Sequence, residues 1–488
     1  MKVKMILPAL IEARTNHSRY YSFHPIKYSL FPPLGLTTLA GYLDFTDEVE
    51  VQDEHVETLT LNDSPDLVVI QVYTTNAFRA YEIADGYRAR GSYVCLGGLH
   101  VTAMPEEAAS HADSIFLGPG EDTWPRFLSD FRQGQPQSIY RSVVRCLDEA
   151  PPVRRDLIKR HKYLFPNTIV VSRGCPHQCE FCYKESFFKG GSSYYTMPVE
   201  RALRDIESMP GKHLFFLDDH LFGNPVFARS LFDGLKGMGR VWQAAGTTES
   251  IQRADLLDSA VEAGLRGLFV GFETLSDANL TSIGKFHSIR KNYEHAIKML
   301  HDRGVMVNGS FVFGLENDDL SVFNRTAEWA IECGLETATF HILTPYPGTR
   351  LYDRLKRQGR ILTNDWSLYD TRHAVFKPDR MDAVELEAGY RQAYRDFYSW
   401  KGIFRSAQAQ AKEDVVGMVR HLAYTGGWKK CDPVWSMLIK AGQLNPMNKI
   451  FEAVLGGFGQ PKTRPQVMER IPTPAVLKRR TLPAEVKI

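Results

Sequence analysis

Short apolar runs alternate with stretches of helical apolar spacing over most of this chain. In its first part Val3–Leu7, Val49–Asp53, Leu67–Tyr73, Tyr93–Gly98 and Ser114–Glu121 read as strands. Pro32–Leu43 and Ala77–Arg90 carry the 3.6-residue period of helices, and a long polar stretch from Pro8 to Phe31 follows the first strand. Strands that alternate with helices predict an α/β doubly wound parallel sheet of Rossmann-like type, with ligands at the strands' carboxyl ends. From Asn167 to Pro378 the rhythm returns. Strands are expected at Thr168–Ser172, His213–Leu217, Val241–Ala245, Gly267–Phe272, Val305–Phe313 and Thr337–Leu343. Helices are expected at Thr196–Ile206, Ala254–Ala263, Ser288–Arg303 and Leu320–Cys333. Six such units make a partial (β/α)6 TIM barrel, not a closed barrel of eight.

Past Pro378 the pattern turns helical, at Met381–Trp400, Arg405–Leu422 and Asp432–Ala441. Tyr390, Tyr394, Phe397 and Tyr398 form a stripe that reads as packing. The expected divisions are 1–140, a charged and proline-bearing linker 141–166, the barrel 167–378, a helical region 379–459 and a disordered tail 460–488.

Composition narrows the class. A chain of 488 residues exceeds one ordinary core, and 43% hydrophobic with 24% charged residues is a soluble globular balance. A net charge of +2 gives no strong pull toward nucleic acid. The apolar run at Met1–Pro8 is too short for a signal peptide, and no run approaches membrane-spanning length. Cys95, Cys146, Cys333 and Cys431 are scattered without a disulfide framework, which fits a reducing cytoplasm.

The remaining cysteines carry the chemistry. Cys175, Cys179 and Cys182 form a C-x3-C-x2-C array within Val171–Tyr183, after a strand and the Arg173-Gly174 pair. Three thiolates there can hold three irons of a [4Fe–4S] cube and leave the fourth iron open. Zinc is the alternative, but it asks for a fourth nearby ligand, and His177 sits inside the loop itself. Polar residues gather at the following strand ends: Asp218-Asp219-His220, Glu249, Glu273, Gly314-Leu-Glu316 and Thr344–Gly348. Asp218 and Asp219 also suit helix capping, though two acids and a histidine on one short loop favour a ligand role. Gly97-Gly98 closes a strand as either a plain turn or a backbone surface for a flat ligand.

The cysteine spacing, the aromatic Phe181 before the last cysteine and the preceding strand resemble the radical S-adenosylmethionine (radical SAM) enzymes. The domain ahead of them, with its Pro32-Pro-Leu-Gly helix and Gly97-Gly98 strand end, resembles the cobalamin-binding domain of cobalamin-dependent members. That resemblance runs through most of residues 1–380. It implies that S-adenosylmethionine chelates the open iron and that its cleavage yields a 5′-deoxyadenosyl radical. It implies that Phe181, Asp218, Asp219, Glu249, Glu273, Gly309, Gly314 and Pro345 line the S-adenosylmethionine site, and that Gly97 and Gly98 lie against cobalamin. The family's D-x-H-x-x-G motif is missing: Asp53-Glu-His55 ends the second strand, with Thr58 where the glycine belongs, and Gln71 replaces the small hydroxyl residue of the third strand. Two readings stay open, a cobalamin site without a histidine ligand and a domain that has lost the cofactor.

The resemblance implies methyl transfer to an unactivated carbon or phosphorus of a small-molecule substrate, with an external electron donor such as flavodoxin or ferredoxin. Oxidative cyclisation without methyl transfer is the rival within the family, and a non-catalytic iron–sulfur or zinc protein the rival outside it. A methylthiotransferase is disfavoured, since only Cys95 and Cys146 precede the barrel.

Overall fold

The computed structural model describes residues 1–10, 30–288, 292–411 and 415–430, with 453 alone beyond them. The first sheet contains β1 (Lys2–Leu7), β2 (Glu48–Asp53), β3 (Leu67–Gln71), β4 (Tyr93–Gly97), β5 (Ser114–Leu117) and β6 (Ile139–Arg141). They lie in the order β2-β1-β3-β4-β5-β6, and every pairing is parallel. The order reverses between β1 and β3, which opens a crevice at their carboxyl ends. β6 has three residues and escaped the pattern.

Both faces of this sheet are covered, which is why its strands read as continuous apolar runs. Met5, Val69, Cys95 and Phe116 pack with Trp124 and Phe127 on one face. Ile6, Ile70 and Leu96 face the other way, in a core that also takes Tyr352, Trp366, Tyr369 and Val375 from far along the chain. The two halves of the molecule therefore share a core.

The second sheet runs β14-β13-β12-β11-β10-β7, again all parallel. Its strands are β7 (Thr168–Ile169), β10 (His213–Phe216), β11 (Val241–Gly246), β12 (Leu265–Glu273), β13 (Met306–Phe313) and β14 (Thr337–Ile342). The expected strand Thr168–Ser172 is in fact split. β7 ends at Ile169, and β8 (Ser172–Gly174) pairs antiparallel with β9 (Tyr194–Thr196). The Asp218 carboxylate draws the chain aside by accepting the amides of Val171 (3.1 Å) and Ser172 (2.5 Å). Gly174 follows at φ 75, where a Cβ would stand 2.0 Å from the Ser193 carbonyl oxygen.

A sheet that curves without closing has two raw edges. On β14 the outward backbone groups are met by the helix Ala383–Phe397. Tyr398 Oη accepts from Ala338 N–H (3.1 Å) and donates to its carbonyl (2.8 Å); Tyr394 Oη does the same at Phe340 (3.1 and 3.2 Å). Ile342 N–H donates to the Thr371 carbonyl (2.8 Å). At the β7 edge Arg155 donates to the Thr168 carbonyl (2.8 Å) and Arg173 to that of Val170 (3.2 Å).

The expected helix Arg405–Leu422 is replaced by two, Trp400–Ala411 and Val415–Lys430. They run antiparallel, since a Cβ on Gly426 would lie 3.5 Å from the Trp400 ring. Apolar spacing alone does not show such a reversal, because both helices bury a face of the same period. The helix Pro225–Leu235 was not anticipated, although Asn224 caps it by accepting from Val226 and Phe227 amides. The expected helix Asp432–Ala441 and the tail 460–488 lie outside the described residues. No helix among the described residues is long and apolar enough to cross a membrane.

Candidate functional site

The cysteine loop hangs between the β8–β9 ribbon and the carboxyl end of the barrel, and it is clamped throughout. Cys175 N–H donates to the Ser193 carbonyl (2.9 Å), Cys182 N–H to that of Cys179 (3.1 Å), and Glu180 N–H to that of Ile283 (2.9 Å). From the helix Arg350–Arg357, Arg350 donates to the Gln178 carbonyl (2.6 Å) and Arg354 forks onto the Glu180 carboxylate (2.9 and 3.1 Å). Cys175 is buried, and Cys179 and Cys182 are half-buried. Among the described residues no three His, Cys, Asp or Glu side chains converge as a single ion's ligands. Burial pushes the Cys179 thiol up to about 12 and raises that of Cys175; binding to iron would deprotonate both. Burial opposes the Lys184 ammonium, but Cys182 and Asp219 outweigh it and hold that lysine charged beside the thiols.

The two acids after β10 part company. Asp218 is buried and turned into the protein, accepting from the Val171 and Ser172 amides and the Ser172 hydroxyl. Asp219 lines the cavity, accepting from Tyr183 Oη (2.8 Å) with Lys184 Nζ 3.6 Å away. Glu273 ends β12 in a left-handed backbone conformation (φ 64), which costs a non-glycine residue about 1–2 kcal/mol. Lys285 Nζ fixes it, donating to its carboxylate (2.6 Å) and to the Gly271 carbonyl (2.7 Å). Strain held in place by neighbours marks functional strand ends. Glu249 lies on the short helix after β11, 3.4 Å from Arg253. Phe181 packs against the barrel core, and Pro345 is buried after β14.

Packing accounts for two glycines. A Cβ on Gly309 would meet Leu335 at 2.8 Å on the helix side of β13, and one on Gly314 would meet Leu386 at 2.8 Å. The polar interior of the barrel went unread. Asn308 and Thr339 bond across β13 and β14 (3.1 Å), and His341 Nδ1 lies 3.2 Å from the Thr371 hydroxyl. The signal lay in polar residues at every second position of Asn308-x-Ser310 and Thr339-x-His341.

A cavity of about 340 Å³ joins the two sheets. One wall is made by strand ends of the first sheet with Gln71, Tyr73, Gly97 and Gly98, the other by Ser172, Arg173, Tyr183 and Asp219. Gly98 (φ 119) is forced, since a Cβ would lie 2.7 Å from the Val72 carbonyl oxygen. Gln71 donates to Tyr73 Oη (2.9 Å), while its Oε1 is buried without a partner, as at a surface built to meet a guest. Arg173 is held by Glu121 at 2.8 Å. His55 takes no part: Nδ1 meets Asp53 at 2.8 Å and Nε2 accepts the Leu10 amide at 3.2 Å, so neither ring nitrogen is spare. His17 and His24 lie outside the described residues.

Family models match in the same order as these parts. The Radical SAM superfamily covers residues 169–330, the B12 binding domain 28–128, and a domain of unknown function (DUF4070) 349–456. The bacteriochlorophyllide d C-12(1)-methyltransferase of Chlorobaculum tepidum is 28% identical over 78% of this chain and 85% of its own length. The anaerobic magnesium-protoporphyrin IX monomethyl ester cyclase of Rubrivivax gelatinosus is 23% identical over 81% of this chain and 79% of its own. Among solved structures, the radical S-adenosylmethionine methyltransferase TsrM of Kitasatospora setae superposes with a TM-score of 0.57 at 17% identity, over 82% of this chain and 86% of that one.

Proposed function

The chain belongs to the radical SAM enzymes that carry a B12-binding domain, and on that premise we propose that it methylates an unactivated carbon, or a phosphorus, of a small-molecule metabolite. The observation behind this reading is the shared cavity, where glycine-bearing strand ends of one sheet face Tyr183, Asp219 and Arg173 of the other. Bound there, a [4Fe–4S] cluster with S-adenosylmethionine supplies radical chemistry, and cobalamin supplies a transferable methyl group.

The protein's own part is to hold and orient. Cys175, Cys179 and Cys182 are the cluster ligands, with Lys184 offsetting negative charge beside them. Asp218 has its carboxylate filled by three donors, so Asp219, open to the cavity, is assigned the methionyl ammonium. Glu273, aimed by its strained backbone and by Lys285, is assigned the ribose hydroxyls. Gly97 and Gly98 allow a corrin onto the backbone, and the free Gln71 Oε1 is left to accept a bond from it. An external reductant such as flavodoxin or ferredoxin and a half-exposed cluster suit the cytoplasm.

The test is anaerobic reconstitution with cobalamin, methyl-labelled S-adenosylmethionine and reductant. Bound corrinoid, with 5′-deoxyadenosine and S-adenosylhomocysteine both released, is the expected result. 5′-Deoxyadenosine alone would move the reading to oxidative cyclisation without methyl transfer; the Rubrivivax relative is named as a cyclase. Neither product, with zinc in the protein, would end the enzyme reading.

A further inference from the structure

The cavity has a second end, which cobalt and cluster chemistry leaves unused. It runs between the connecting segment 147–155 and the helix Val199–Ser208, past Leu147, Ala150 and Met197 and the end of β7 at Ile169. These walls are apolar, yet two guanidiniums, Arg155 and Arg201, line this end.

Both are held only by neutral groups. Arg201 donates to the carbonyls of Leu147 (3.1 Å) and Pro151 (2.7 Å). Arg155 spends Nη2 on the Thr168 carbonyl (2.8 Å), and its Nη1 is buried with no partner. Burial pushes Arg155 down to about 10, against the opposing pull of Asp205. Asp205 also lines this end, near enough to Arg155 to favour its charge. Arg160, a further cation near Arg155, is bonded to Asn167 Oδ1 at 2.7 Å. Two cations thus face one carboxylate in an apolar setting, and one N–H donor goes unanswered. Buried donors without acceptors are costly and uncommon, and a guanidinium fork matches an oxyanion.

We propose that this end is a subsite for one oxyanion group, a phosphodiester or a carboxylate, borne by the molecule that fills the rest of the cavity. It rests on the cobalamin reading, which offers two bearers: cobalamin itself, through the phosphodiester of its nucleotide tail, and an acidic substrate, through a carboxylate. Arg155 Nη1 is the donor that the guest completes, and Arg201 supplies further positive potential.

Visible titration of full-length reconstituted protein with hydroxocobalamin and with cobinamide, which lacks the phosphodiester, tests this. Loss of one charge-assisted hydrogen bond corresponds to about 10- to 100-fold in affinity. Arg155→Gln should weaken hydroxocobalamin by that factor and leave cobinamide within about twofold, the latter serving as the folding control. Arg155→Lys should recover part of the loss, and Asp205→Asn should tighten hydroxocobalamin. If both corrinoids ignore Arg155→Gln while chlorophyllide binds the cobalamin-loaded variant more weakly and its methyl ester does not, the carboxylate is the guest. Equal loss of both corrinoids, or no loss with any probe, overturns the subsite. Hydroxocobalamin failing to bind even the unaltered protein would instead remove the cobalamin reading beneath it.

Discussion

Asp218 and Asp219 are adjacent and chemically identical, yet one belongs to the backbone and the other to the cavity. Sequence placed both at a ligand, because it reports residue type and not the direction a side chain takes. Burial raises Asp218 to about 6, with its bonds to Ser172 and Val171 opposing. A folded pKa above the unfolded value of 3.8 favours the native state fully below pH 3.8, and that stability is lost as pH rises through 6. Asp318, raised to about 6 chiefly by burial, acts in the same sense. Asp218→Asn should therefore flatten part of the fall in Tm between pH 4 and 6, leaving the share due to Asp318; an unchanged Tm profile would contradict the burial of its charge. Asp219→Asn should weaken S-adenosylmethionine binding about tenfold, read by equilibrium dialysis. The cysteines are a plainer case, because their spacing is itself the chemistry. Alanine at Cys175, Cys179 or Cys182 should abolish the cluster's visible absorbance, whereas Cys333→Ala, remote in the helical layer, should keep it.

At the level of elements, the strands of both sheets other than the three-residue β6 were legible, most of them because they bury apolar runs between helices. The split of β7 from β8 was not, since it depends on a carboxylate 46 residues away taking the Ser172 amide. The aromatic stripe of Ala383–Phe397 was legible as packing but not as hydrogen bonding. Phenylalanine at Tyr394 or Tyr398 keeps the ring and strands one N–H and one carbonyl on β14. Each change should cost about 1–3 kcal/mol in chemical denaturation, more for the deeply buried Tyr398 (8% exposed) than for Tyr394. A loss no larger than that of a surface Tyr→Phe control would show that water serves the strand equally well.

For the whole molecule, what matters is that two separately recognisable parts are seated on one another. Trp366 sits at the join, with its indole N–H 3.2 Å from Glu107 and its ring against Tyr369 and His100. No periodicity could show this, because the partners lie 259 residues apart. Trp366→Ala should leave the cluster absorbance intact, expose 141–166 to limited proteolysis and weaken corrinoid binding by about tenfold or more, since one wall of the cavity would no longer be fixed against the other. Proteolysis and corrinoid affinity both unchanged would mean that each wall holds its place alone.

The tyrosine hydroxyls on β14 have a consequence for how the barrel meets its neighbours. A sheet that stops short of a full circle is normally a template on which another copy can add its own strand. Here Tyr394 and Tyr398 act as chain terminators: they occupy the bonding positions a seventh strand would use while adding no strand of their own. The open sheet can then end at β14 without recruiting a strand from a neighbouring copy.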